Sequence, residues 1–81
     1  YNSFQKVVYF LLKTTEKEVP ENDIRNGILP YTHQDIANSL QMHRVTVSKV
    51  LDTLQNKGYI RMKYKCIQVV KRTEMMQEYL L

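Results

Sequence analysis

Arg44, Ser48 and Lys49 put a guanidinium fork, a hydroxyl and an ammonium on residues that share one side of a helix, together with Val45, Asp52 and Gln55. Groups of this kind hold a partner by charge and hydrogen bonding; they do not break its bonds. Catalysis needs a nucleophile beside its base, or a metal constellation, and the sequence shows neither. His33, His43 and Cys66 fit no common zinc spacing, and there is no second cysteine. Both histidines are therefore read as satisfied polar residues, and Cys66 as an ordinary half-buried strand residue. Neither metal nor cofactor is expected in this domain, and no enzymatic activity.

The charge is divided unevenly along the chain. Residues 1–42 carry −1 and residues 73–81 carry −2, whereas residues 43–72 set Arg44, Lys49, Lys57, Arg61, Lys63, Lys65, Lys71 and Arg72 against Asp52 alone, for +7. A solvated helix face usually mixes signs, so a one-signed block of this size points to a polyanionic partner, nucleic acid first. The alternative is a protein-interaction module, which would put an apolar or acidic outer face on the same helix.

The elements that position these residues follow from spacing. Phe4, Val7, Val8, Leu11 and Leu12 mark an amphipathic helix over 3 to about 15, with Ser3 as candidate cap. A polar stretch with Pro20, Asn22 and Asp23 reads as a loop, and Asn26-Gly27 as a turn. "ILPY" follows as a short extended segment whose Pro30 suits a sheet edge only. Thr32 and Asp35 form a variant capping box ahead of Ile36, Ala37 and Leu40. After about three residues a second helix runs from Arg44 to about Lys57, with Val47, Val50, Leu51 and Leu54 inward and Gly58 as a left-handed stop. So short a joint sets the two helices at a steep angle, and the small Ala37 permits close approach. A helix presented in this way suits a DNA major groove, which is about 12 Å wide. Beyond Gly58 the period becomes two: "YIRMK" and "CIQVVK" are expected to be strands joined by a short basic turn, a wing. Thr73 is expected to cap a last short helix, "EMMQEYL", whose Met75, Met76, Tyr79 and Leu80 pack on the body.

At 81 residues the chain is read as one domain over 1–81, with the helix-turn-helix at about 32–57 and the wing at about 59–71. The expected fold class is α/β, mainly α: a three-helix core, a small antiparallel wing and a short C-terminal helix. One cysteine precludes an internal disulfide, and no stretch approaches the roughly 20 apolar residues of a membrane span. A cytoplasmic location and no membrane partner are expected. The chain does not begin with Met and is read as a piece of something longer.

The segment "THQDIANSLQMHRVTVSKVLDTLQNKGYI", with Ile36, Ala37, Leu40, Met42, Val47 and Val50 at its apolar positions, resembles the helix-turn-helix of the Crp/Fnr superfamily of bacterial transcription regulators. The resemblance extends over the upstream helix, the "ILPYT" strand and the wing. It implies the C-terminal winged-helix domain of such a regulator, whose sensor barrel and long dimerisation helix are not in this sequence. The effector is then unknown, the partner is double-stranded DNA, the full-length protein is a homodimer, and RNA polymerase is a further candidate partner.

The resemblance also implies roles for individual residues. Arg44, Thr46, Ser48 and Lys49 lie where the family meets base edges and flanking phosphates, Arg44 being the candidate for a two-pronged contact with guanine O6 and N7. Thr32, His33 and Gln34 open the preceding helix where it crosses the DNA backbone; His43 caps the recognition helix or touches phosphate. Lys63 and Lys65 of the wing are candidate phosphate contacts. The chain departs from the family at two positions. Gln41 stands where Gly is usual, and Val45 where several members carry Glu; Val45 cannot hydrogen-bond but can touch a thymine methyl.

Overall fold

The computed structural model describes residues 2–14, 28–63 and 66–81, with the backbone only of Ile28 and Lys63. The polar loop, the Asn26-Gly27 turn and the basic turn with Lys65 lie outside the described residues. The order of elements is α1 (Ser3–Thr14), β1 (Ile28–Leu29), α2 (His33–Leu40), α3 (Arg44–Asn56), β2 (Ile60–Lys63), β3 (Cys66–Val69) and α4 (Arg72–Leu80).

Each helix buries the stripe its spacing marks. Val7, Val8, Leu11 and Leu12 of α1, Ile36 and Ala37 of α2, and Val47, Val50, Leu51 and Leu54 of α3 share one core with Leu29, Ile60, Ile67 and Met75. Every described element thus contributes to the same apolar cluster, whose burial is the main favourable contribution to folding. Phe4 stacks on Tyr79 with ring centroids 5.2 Å apart, which ties α4 back onto α1. Met75 is fully buried, and Met76, Tyr79 and Leu80 pack partly buried against the core, as expected. Cys66 is half-buried in β3.

The sheet differs from a simple two-stranded wing. Its order is β1-β3-β2, antiparallel throughout, so the "IL" segment joins β3 through Ile28↔Gln68 and Leu29↔Ile67. β1 is an edge, where a following Pro30 removes no ladder donor. On the other side Ile60, Arg61, Met62 and Lys63 face Val69, Gln68, Ile67 and Cys66.

Two helix starts depart from the sequence reading. The cap of α1 is Asn2 rather than Ser3: the Gln5 amide donates to Asn2 Oδ1 (2.8 Å) and the Asn2 amide to Gln5 Oε1 (3.0 Å), a reciprocal box. α4 begins before Thr73, with Lys71 in the cap position and no side-chain cap bond. The cause is the sheet. The amides of Val70 and Lys71 both donate to the Tyr59 carbonyl, and the Met75 amide donates to the Lys71 carbonyl, so the helical ladder starts directly where the strand ends. Among the described residues no helix is long and apolar enough to cross a membrane.

Candidate nucleic-acid interface

The joint between α2 and α3 is built from both ends. At the start of α2, Thr32 accepts from the Asp35 amide (3.1 Å), and Asp35 Oδ2 accepts from the Thr32 amide (2.9 Å). That backbone bond, followed by the bond from the Thr32 side chain, holds the Asp35 carboxyl below the usual carboxylate range. At its end Gln41 adopts the left-handed region, φ 54° and ψ 46°, and sends its amide to Asn38 O while Met42 sends its own to Ala37 O. This is a Schellman motif, and α3 closes in the same manner: the Gly58 amide donates to Gln55 O and the Tyr59 amide to Leu54 O, with Gly58 at φ 80°. Gln41 is thus the one non-glycine among the described residues whose backbone lies in the region that favours Gly.

With its inner stripe locked in the core, α3 turns the opposite side outward. Arg44, Val45 and Lys49 are exposed, Val45 at 66%, and Thr46 and Ser48 are half-buried beside them. Among the described residues neither Arg44 nor Lys49 has an ion-pair partner. His43 occupies the cap position of α3 and is exposed, with no side-chain bond to the helix amides, and no acidic residue lies in the first turn. The positive end of the helix dipole is left to whatever approaches.

Not every residue singled out from the sequence is equally available. His33 is half-buried and both ring nitrogens are engaged, Nδ1 with Ser48 Oγ (2.9 Å) and Nε2 with Met62 Sδ (3.2 Å). It ties α2 to both α3 and β2, the satisfied polar role expected of it. Gln34 is exposed, its Nε2 donating along α2 to Asn38 Oδ1 at 2.9 Å. Gln55, read as part of the outward face, accepts from the Met62 amide (2.9 Å) and so braces α3 against β2.

The basic block is also subdivided. Lys57 pairs with Glu78 of α4 and lies 5.1 Å from the centre of the Tyr79 ring, while Tyr59 Oη donates to Glu78 Oε1 at 2.7 Å. The bond from Lys57, followed by that from Tyr59, pulls the Glu78 carboxyl down to about 2, and the same carboxylate raises Lys57 and Tyr59 above their usual ranges. Arg72 Nη2 donates to the Leu12 carbonyl (3.5 Å) at the end of α1. Lys57 and Arg72 therefore serve the fold, whereas Arg61 on β2, which the sequence reading does not place among the contacts, is exposed. The period-two alternation of "YIRMK" carries the signal for it. Lys65 and the Lys63 side chain lie outside what is described. Among the described residues no three His, Cys, Asp or Glu side chains gather as a metal site would require.

The Crp-like helix-turn-helix domain family matches the chain over residues 5–78. Among solved structures, a CRP-family transcriptional regulator of Thermus thermophilus superposes with a TM-score of 0.81 at 22% identity, over 98% of this chain and 40% of its own. The catabolite activator protein of the same organism gives 0.75 at 23% identity over 93% of this chain and 32% of its own. Another Thermus thermophilus regulator, of the CRP/FNR family, gives 0.72 at 28% identity over 94% and 41%. The chain thus spans 32% to 41% of the length of these neighbours. No curated protein matches it. The four described helices, the tight joint between α2 and α3 and the small antiparallel sheet fall within that match, and the chain belongs to the Crp-like helix-turn-helix domains, DNA-binding units of transcription regulators.

Proposed function

We propose that this domain binds double-stranded DNA sequence-specifically, with α3 in the major groove. The observation that supports this most is the outward side of α3, where Arg44, Val45 and Lys49 stand exposed at the open N-terminal end of a helix whose other side is fully committed to the core. Its 13 residues make a rod about 20 Å long, suited to a groove that accepts one helix. In this reading Arg44 bridges guanine O6 and N7, Val45 meets a thymine methyl, and Thr46, Ser48 and Lys49 line the adjoining bases and phosphates. Thr32, His33 and Gln34 at the start of α2, and His43 before α3, lie toward the DNA backbone, and Lys63 and Lys65 reach phosphates from the wing.

The intact regulator is read as a cytoplasmic homodimer that sets two such helices roughly 34 Å apart on a near-palindromic site. Its effector is sensed outside this domain, and RNA polymerase is a further candidate partner. Selection from randomised duplexes tests the proposal. An enriched half-site with a guanine-specific position is the expected outcome; absence of any duplex binding at low salt would refute it.

A further inference from the structure

For the neutral ring, the contacts of His33 assign the proton to one of its two nitrogens. A neutral imidazole has one N–H and one bare nitrogen. Met62 Sδ, 3.2 Å from Nε2, has no hydrogen to give and can only accept, so the N–H belongs on Nε2. Nδ1 is then the bare nitrogen, and at 2.9 Å the Ser48 hydroxyl must donate to it. A serine hydroxyl has a single proton. With that proton turned inward, Ser48 offers the outside only its lone pairs.

Ser48 sits one turn after Arg44 and beside Lys49 on the recognition side of α3. Phosphate oxygens, guanine O6 and N7, and thymine O4 are all acceptors and cannot bond such a group; the amino groups of adenine and cytosine can. We infer that His33 is a specificity-determining positioning residue: by holding the Ser48 proton away from the groove, it makes Ser48 an acceptor that selects adenine or cytosine on the strand it faces. The inference deepens the DNA-binding reading above and rests on it. His33 acts here without touching a base, and Met62 acts through His33 from the edge strand β2, so base preference depends on a chain of contacts joining α2, α3 and the sheet.

Two experiments decide. The nitrogen-15 chemical shifts of the His33 ring in the protein at neutral pH should show the Nε2–H tautomer; an Nδ1–H tautomer, or a ring protonated on both nitrogens, overturns the inference. Selection from randomised duplexes is then run with wild type, His33→Phe, Ser48→Ala, the double variant and Met62→Leu. Wild type should show, at one base pair of the half-site, a preference of about three- to tenfold, the size of one neutral hydrogen bond. His33→Phe should abolish that preference or turn it toward guanine or thymine, leave the other positions unchanged, and add nothing on the Ser48→Ala background. Met62→Leu, which keeps the packing volume and removes the sulfur, should weaken the same preference and stands in if His33→Phe does not fold. An unchanged preference in both variants, or a loss spread evenly over all positions, overturns the inference while leaving DNA binding intact. Absence of any selection by wild type removes both readings.

Discussion

Gln41 and Gly58 occupy the same place in the same motif, one after α2 and one after α3, which makes them a matched test of the joint that aims the recognition helix. Both have positive φ, 54° and 80°. An L residue in the left-handed region gives up roughly 1–2 kcal/mol, whereas glycine there gives up only about 0.4–1 kcal/mol of unfolded-chain freedom. Gln41 is exposed, so Gln41→Gly relieves the strain without uncovering the core. The variant should be more stable by about 0.5–1 kcal/mol, or about 2–8 °C in Tm for a domain of this size. Gly58→Gln is the mirror experiment. A Cβ at 58 would meet nothing within 4 Å, so its cost is torsional alone, a loss of about 0.5–1 kcal/mol. Urea unfolding with unchanged m-values measures both. A less stable Gln41→Gly, or a Gly58→Gln without cost, would show that backbone strain does not govern these two turns.

Val45→Glu should leave stability unchanged because the side chain is exposed, yet shift selection at the neighbouring base pair toward one presenting a cytosine amino group; an unchanged preference would place that side of α3 away from the bases. The Lys57–Glu78 pair predicts an acid response. Glu78 is at about 2 when folded against an ordinary 4.5, so its contribution is complete above about 4.5 and lost as pH falls toward 2. Glu78→Gln should therefore lower stability at neutral pH and flatten the curve across that window; a parallel curve would remove the pair from the acid limb. Replacing Lys63 and Lys65 together by Ala should weaken all duplexes alike and flatten the plot of log K against log salt by up to about 0.9 per lost contact, and an unaltered slope would take the wing out of the interface.

The helices were legible because each buries a stripe at a single period: Val47, Val50, Leu51 and Leu54 mark the core side of α3, and the outward set follows as its complement. The Thr32–Asp35 box and the Gly58 stop were legible because capping is local chemistry. The box at Asn2 and Gln5 is just as local, since Asn caps as well as Ser and an amide stands at the third helical position, but a neighbouring Ser3 carries the same capping signal one residue on. What spacing cannot show is contact between distant segments. His33 finds Ser48 and Met62 across 15 and 29 residues, Glu78 finds Tyr59 across 19, and β1 finds β3 across the intervening helices. Those contacts take Lys57 and Arg72 out of the basic block and Gln55 out of the outward side of α3, and bring His33 into the support of Ser48.

The central claim is that α3 reads bases, and Arg44 carries it most directly. The measurement is the affinity of wild type and Arg44→Ala for the selected site and for random duplex at one salt concentration. The account predicts a loss of about 1–3 kcal/mol on the selected site with little change on random DNA, and relaxed preference at a single guanine of each half-site. An equal loss on both duplexes would move Arg44 from a base to a phosphate and contradict the placement of α3 in the groove.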